Sequence, residues 1–200
     1  MKRFISILFM VSLCTAFIFA EDNQQNDSQE QQDDTPAEEF VYEPNGAGDQ
    51  SLKIGLMATF PLNFGKQLYV GGSAELGYYK FLTNTLALGG DILISYNVSL
   101  GEKSLITVPI TFGAMFQPYV GNFEFPLTLG IGIASLSCQG MSYFPALTVK
   151  GSAGAFYRMS ESWSFGITTT GFWIPQWVKD SSKNDNGLFL TAGVTARYHF

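Results

Sequence analysis

From Leu52 to Phe200, apolar residues recur at every second position, in runs separated by short polar or glycine-containing stretches. A period of two marks an extended strand with two different faces, and no stretch sustains a helical period. The first run sets Leu52, Ile54, Leu56, Ala58 and Phe60 against Lys53, Gly55, Met57 and Thr59. The second sets Leu68, Val70, Ala74, Leu76 and Tyr78 against Tyr69, Ser73, Glu75 and Tyr79. The even-numbered apolar phase continues through Leu86–Tyr96 and Ile106–Phe116. It turns odd for Phe123–Ile133, Leu147–Tyr157 and Trp163–Trp173, then even again for Leu188–Phe200. The pattern predicts eight antiparallel strands, each long enough for a tilted strand to cross a bilayer. An even strand count with short turns fits an all-β, eight-stranded antiparallel up-and-down transmembrane β-barrel over residues 51–200. Closure is required in lipid, which offers no hydrogen bonds to a sheet edge.

Alternation alone does not say which face is outside, since a soluble barrel would turn its apolar face inward. The less apolar face is mostly Gly, Ser, Thr and Ala with few charges, unlike a water-facing surface. Small residues suit the narrow interior of an eight-stranded barrel. Aromatic residues of the apolar face gather near strand ends: Tyr78, Phe116, Phe123, Tyr157, Trp163, Tyr198 and Phe200 at one end, Phe60, Tyr96, Tyr143 and Trp173 at the other. Two interfacial girdles, and therefore an apolar face in contact with outer-membrane lipid, are the expectation.

Charge is segregated. Of the 17 acidic residues, ten lie in residues 21–50, which hold no Lys or Arg. That stretch is also rich in Gln and Asn and poor in apolar residues, so an acidic, disordered tail is predicted there. Residues 51–200 carry seven acidic and nine basic side chains, with no basic stripe of the kind that binds nucleic acid. Residues 1–20 open with Lys2 and Arg3, continue apolar from Phe4 to Phe19, and meet acidic Glu21 after Ala20, as a cleavable secretory signal does. Lipidation at Cys14 is disfavoured by Leu13, where a small residue is expected. Cys138 is then the single cysteine of the mature chain, which excludes an intramolecular disulfide.

The segment Gly193–Phe200 resembles the C-terminal strand of the small eight-stranded outer-membrane barrels of the OmpW, OmpX and OmpA-transmembrane type. Tyr198 and the terminal Phe200 match the signal read by barrel-assembly machinery, although Ala196 stands where that signal prefers a bulky residue. The resemblance implies a bacterial outer-membrane location with both barrel termini, and the tail, in the periplasm. On that frame the outer loops are Asn63–Lys66, Ser99–Ser104, Ser135–Ser142 and Val178–Gly187.

The inward positions are not uniform with height. Lys53, Glu75, Glu124, Arg158 and Arg197 fall in the half near the termini, with Asp91 and Lys150 at mid-height. Charges so far from water should pair, which predicts an ion-pair plug across the lumen. The outer half holds Tyr69, Leu93, Leu105, Leu136, Phe144, Phe172, Ile174 and Phe189, a candidate apolar ligand pocket. Pro61, Pro109, Pro145 and Pro175 also fall in outer strand halves, where a missing N–H weakens a ladder. Pro145 and Pro175 lie on neighbouring strands and mark a candidate lateral seam.

The one histidine, His199, sits at the termini rim, away from the leaflet where a lipid-modifying barrel would act, so no enzyme is expected. One His and one Cys give no zinc site, and no cofactor is indicated. Two readings remain. One is a narrow channel or uptake protein for small apolar molecules, as OmpW-like proteins are thought to be. The alternative is a structural or surface-interaction barrel, an adhesin or antigen, with a closed lumen.

Overall fold

A computed structural model describes residues 44–63, 68–99, 101, 103–138, 141–176 and 185–200. The expected signal at 1–20, the tail up to residue 43 and most of the loop Val178–Gly187 lie outside the described residues. Eight long strands build the wall: β1 (Gln50–Pro61), β2 (Gly71–Phe81), β3 (Leu86–Val98), β4 (Ser104–Phe116), β7 (Leu127–Cys138), β8 (Met141–Arg158), β9 (Trp163–Gln176) and β10 (Asp185–His199). A small hairpin of β5 (Tyr119–Val120) and β6 (Phe123–Glu124) precedes β7, with Gly121 at φ 56° in its turn. The connection expected as a loop at Ser135–Ser142 is instead mostly strand, because β7 runs to Cys138 and β8 resumes at Met141.

Each wall strand pairs antiparallel with its chain neighbours, and β1 pairs with β10 from Ser51↔His199 to Pro61↔Phe189, which closes the barrel. The protein is therefore an all-β, closed, eight-stranded antiparallel barrel. Burial alternates along the strands as the sequence pattern requires, with the apolar phase outward. Leu129 is 74 % exposed and Ile167 is 65 % exposed, while Asp91, Lys150 and Arg197 face inward and are buried. A surface of exposed Leu, Ile, Val and Phe is stable only against lipid or a partner. At the termini end, Trp163 packs between Phe165 (5.9 Å) and Tyr198 (5.0 Å), and Tyr198 stacks on Phe200 (5.8 Å), forming one aromatic girdle.

Two irregularities reset the inside–outside phase. The β7–β8 register passes from Ala134↔Ala146 to Leu136↔Tyr143, so Phe144 and Pro145 together oppose Ser135. Such a β-bulge turns the strand over by one residue. A similar slip separates Gly72↔Tyr96 from the isolated bridge Leu68↔Ser99. There Tyr69 N–H donates to Val98 O at 2.8 Å, and Asn97 Nδ2 donates to Tyr69 O at 3.0 Å, holding the shifted backbone on β3.

Candidate functional site

The lumen is built in three layers. The middle one is ionic. Lys53 on β1, Glu75 on β2, Asp91 on β3 and Lys150 on β8 project inward toward one another. Lys53 Nζ lies 3.0 Å from Glu75 Oε1 and 2.8 Å from Asp91 Oδ1. Lys150 Nζ donates to Glu75 Oε1 at 2.8 Å and also contacts Asp91 Oδ2. Tyr79 donates its hydroxyl to Asp91 Oδ2. Two cations and two carboxylates thus form a closed ring of contacts, all buried. Only such mutual pairing makes four desolvated charges tolerable.

The second layer lies toward the termini and is separate from the first. Glu124 on β6 is shared by two guanidinium groups: Arg158 Nη1 donates to its Oε1 at 3.0 Å, and Arg197 Nη2 donates to its Oε2. Arg158 also donates to Asn45 Oδ1 at 2.8 Å and to Glu161 O at 2.7 Å. Arg197 donates to Gln117 Oε1 at 2.6 Å, and its Cζ sits 3.8 Å over the Phe156 ring. The seven residues expected in one plug therefore divide between two layers, four in the middle and three near the termini. Between them is a small cavity lined by Lys53, Tyr79, Thr128, Thr168 and Arg197, with room for about one water.

Asn45 belongs to the stretch expected as tail, yet it is buried in the barrel mouth. Gly46 N–H donates to Asp49 Oδ2 at 2.6 Å, Gly48 N–H to Phe81 O at 2.9 Å, and Gln50 N–H to Phe200 O at 2.9 Å. Residues 44–49 thus extend the β1 edge and carry Asn45 into the lumen. No hydrophobic pattern signals this, because residues 44–49 hold no large apolar side chain.

The third layer fills the opposite end. Leu93, Leu136, Phe172, Ile174 and Phe189 are buried together with Ala134 and Ala146, and Leu68, Leu105 and Tyr143 pack on them. Tyr69 and Phe144 are corrections: they are 53 % and 64 % exposed and face away from this cluster. The two slips described above explain both. The extra residue on each strand sends Leu68 and Tyr143 inward in their place, so the outward aromatic at that end of β8 is Phe144 rather than Tyr143.

Beside this apolar layer the β8–β9 pairing stops short of the strand ends. The β8–β9 ladder runs from Arg158↔Ser164 up to Val149↔Trp173 and stops, although Ile174, Pro175 and Gln176 remain paired to β10. Backbone groups of successive strand residues face alternate neighbours. Leu188 accepts from Leu62 on β1, so Phe189 and its partner Phe172 face each other, and Trp173 and Pro175 face β8. Gly154 donates to Pro126 on the β7 side, so Val149 and Leu147 face β9. Continuing the register, the next rung is Leu147 with Pro175, and Pro175 has no N–H to donate. Pro61 stays paired to β10 and Pro109 to β7, while on their other sides the β1–β2 ladder ends at Thr59↔Gly71 and the β3–β4 ladder is interrupted between Ile92↔Ile110 and Ser95↔Thr107.

Ser164 and His199 also meet at the termini end, Ser164 Oγ lying 2.8 Å from His199 Nε2. His199 Nδ1 is 3.3 Å from Arg158 Nη1. A guanidinium only donates, so Nδ1 carries the lone pair and Nε2 the proton. The imidazole then donates to Ser164 and cannot accept its proton, the reverse of a nucleophile–base pair. Among the described residues no cluster of His, Cys, Asp and Glu has the makings of a metal site.

A protein-family model matches residues 24–198 of this chain. An uncharacterized protein of Treponema pallidum (strain Nichols) is 31 % identical over 190 aligned residues, covering 83 % of this chain and 84 % of its own length. The chain belongs to the same family as that treponemal protein. Among solved structures, this chain's barrel is similar to Neisserial surface protein A, with a TM-score of 0.60 at 12 % identity over 78 % of this chain and 98 % of the other. It is also similar to the outer membrane protein OprG of Pseudomonas aeruginosa, with a TM-score of 0.53 at 12 % identity over the same shares. At that identity the likeness is one of fold, and the fold is that of bacterial outer-membrane barrels.

Proposed function

We propose that this barrel admits small apolar molecules at its loop end and releases them sideways into the membrane between β8 and β9, while the lumen below stays closed to ions. The observation that carries the reading is the ladder ending at Val149↔Trp173 directly beside the buried apolar cluster. Leu93, Leu105, Phe172, Ile174 and Phe189 would form the entry surface, and the unmade rung at Leu147 and Pro175 the exit. The ring of Lys53, Glu75, Asp91 and Lys150 is the floor: an ion would have to displace four mutually paired charges. In this reading the termini are periplasmic, and barrel-assembly machinery reads the terminal strand through outward-facing Tyr198 and Phe200. The tautomer inferred for His199, with Nε2 protonated toward Ser164, supports a non-enzymatic role.

The test pairs two measurements on the same protein. Planar-bilayer recording is expected to show no discrete conductance steps. Gram-negative cells displaying the barrel are expected to take up an apolar dye such as N-phenyl-1-naphthylamine faster than cells without it. Unchanged dye entry overturns the uptake reading. The closed lumen itself favours a second reading, a structural or surface-interaction barrel, which would then take its place.

A further inference from the structure

The small cavity between the two charged layers has a lining whose charged members are both positive. Lys53 reaches it from the ionic ring and Arg197 from the termini-end layer, and no carboxylate among the described residues lines it. Two buried donors at its wall are left over. An ammonium has three N–H groups, and Lys53, 6 % exposed, meets two acceptors among the described residues, Glu75 Oε1 at 3.0 Å and Asp91 Oδ1 at 2.8 Å. Thr168 also lines the cavity, is 5 % exposed, and its hydroxyl finds no partner among the described residues. Gly154 stands opposite Thr168 across the β8–β9 pair and keeps the space before that hydroxyl open, since a methyl group on Gly154 would lie 3.3 Å from Thr168 Oγ1. A buried polar group left unmade is costly, and such groups mark a bound water or ion.

We propose that this cavity is a binding site for one chloride ion, held by Lys53 Nζ and Thr168 Oγ1, with Arg197 adding positive charge from the termini side. A chloride only accepts, so every donor at the wall can point at it, whereas a water must also place two protons of its own. Sulfate, phosphate and carboxylates are excluded by size, because the space takes a single occupant about as large as a water. Two cations attract an anion far more strongly in a buried site than in water, which offsets the cost of stripping the ion of its hydration. The ion is a counter-ion shared between Lys53 of the ring and Arg197 of the next layer, so it ties the two layers together. It is resident beneath the closed floor, and the site stands apart from the lateral exit and from any uptake.

The probe is chloride itself. The full chain is refolded in detergent across a series in which sodium chloride replaces sodium gluconate at fixed ionic strength, and the urea unfolding midpoint is measured. Chloride is expected to raise the midpoint saturably, as a ligand of the native state alone does. Thr168→Val keeps the side-chain shape and removes the hydroxyl, so it should raise the half-saturating chloride concentration at least about tenfold. Thr168→Ser should restore the wild-type response. Crystals of the unaltered chain grown in chloride give a second readout that needs no variant: the anomalous signal of chlorine at long wavelength is expected in the cavity. A midpoint indifferent to chloride, or cavity density without that anomalous signal, overturns the proposal and leaves a water there. An equal chloride response in wild type and in folded Thr168→Val overturns it as well, because the ion would then lie elsewhere.

Discussion

Gly77 stands directly opposite Asp91 across the β2–β3 pair, and a methyl group on Gly77 would run into Asp91 Oδ1. The same oxygen lies 2.8 Å from Lys53 Nζ. The glycine is therefore the space in which the ionic ring closes. Gly77→Ala is expected to push the carboxylate off Lys53 and to lower stability by about 1–3 kcal/mol, the range for a disturbed buried network. Guanidinium unfolding of the detergent-refolded barrel measures it. A midpoint equal to wild type would mean that the carboxylate swings aside without loss.

The ring also predicts strong non-additivity. Lys150 contacts both carboxylates, so Lys150→Leu leaves buried negative charge uncompensated and should cost about 3–5 kcal/mol. Adding Asp91→Leu restores the balance of one cation to one carboxylate, Lys53 to Glu75 at 3.0 Å, and should recover a large part of the loss. A double-mutant cycle on unfolding free energy reads the coupling. Simple addition of the two costs would show that these charges do not act as a unit. The single variant should also conduct ions in bursts that wild type lacks, as the floor loosens.

The strands, their number and their outward face were legible because lipid imposes a simple alternation on every crossing. The charged positions at Lys53, Glu75, Asp91 and Lys150 were legible as inward for the same reason, since a charge in the lipid-facing phase would have broken the pattern. Their division into two layers was not, because strand tilt and register set heights that a one-dimensional reading assigns only coarsely. Tyr69 and Phe144 show a different limit. In Tyr143–Phe144 and in Leu68–Tyr69–Val70 all the neighbours are apolar, so hydropathy cannot say which faces in, and one inserted residue decides it. The available signal was Pro145 inside a strand, which marks a bulge as readily as a weak ladder. Asn45 carried no signal at all: its place follows from the β1 edge continuing past the barrel rim.

At the termini end, Ser164 is expected to resist acylating and phosphonylating reagents. Its partner His199 offers it a proton rather than a lone pair, because Arg158 occupies the Nδ1 side. Incubation of the folded barrel with a fluorophosphonate probe, followed by mass spectrometry of the Ser164 peptide, should show no adduct. Stoichiometric labelling would show the opposite tautomer and reopen a catalytic role for the pair.

Pro175→Val tests the wall itself. Valine supplies the N–H that the rung with Leu147 lacks, and its branched side chain suits a strand. One added backbone hydrogen bond contributes about 0.5–1.5 kcal/mol, so the variant should be slightly more stable than wild type. If the incomplete ladder is the exit, apolar dye entry should fall at the same time, because the added bond ties β8 to β9 beyond Val149↔Trp173. Pro145→Val acts at the bulge, on the other side of β8's upper half, and should alter the facing of Tyr143 and Phe144 as well. Pro175→Val is therefore the cleaner probe. A more stable barrel with slower uptake ties the gap to transport. A more stable barrel with unchanged uptake places any apolar path elsewhere. A less stable barrel would show that Pro175 fits a backbone geometry valine cannot adopt, in which case the gap follows from that geometry rather than from one missing donor.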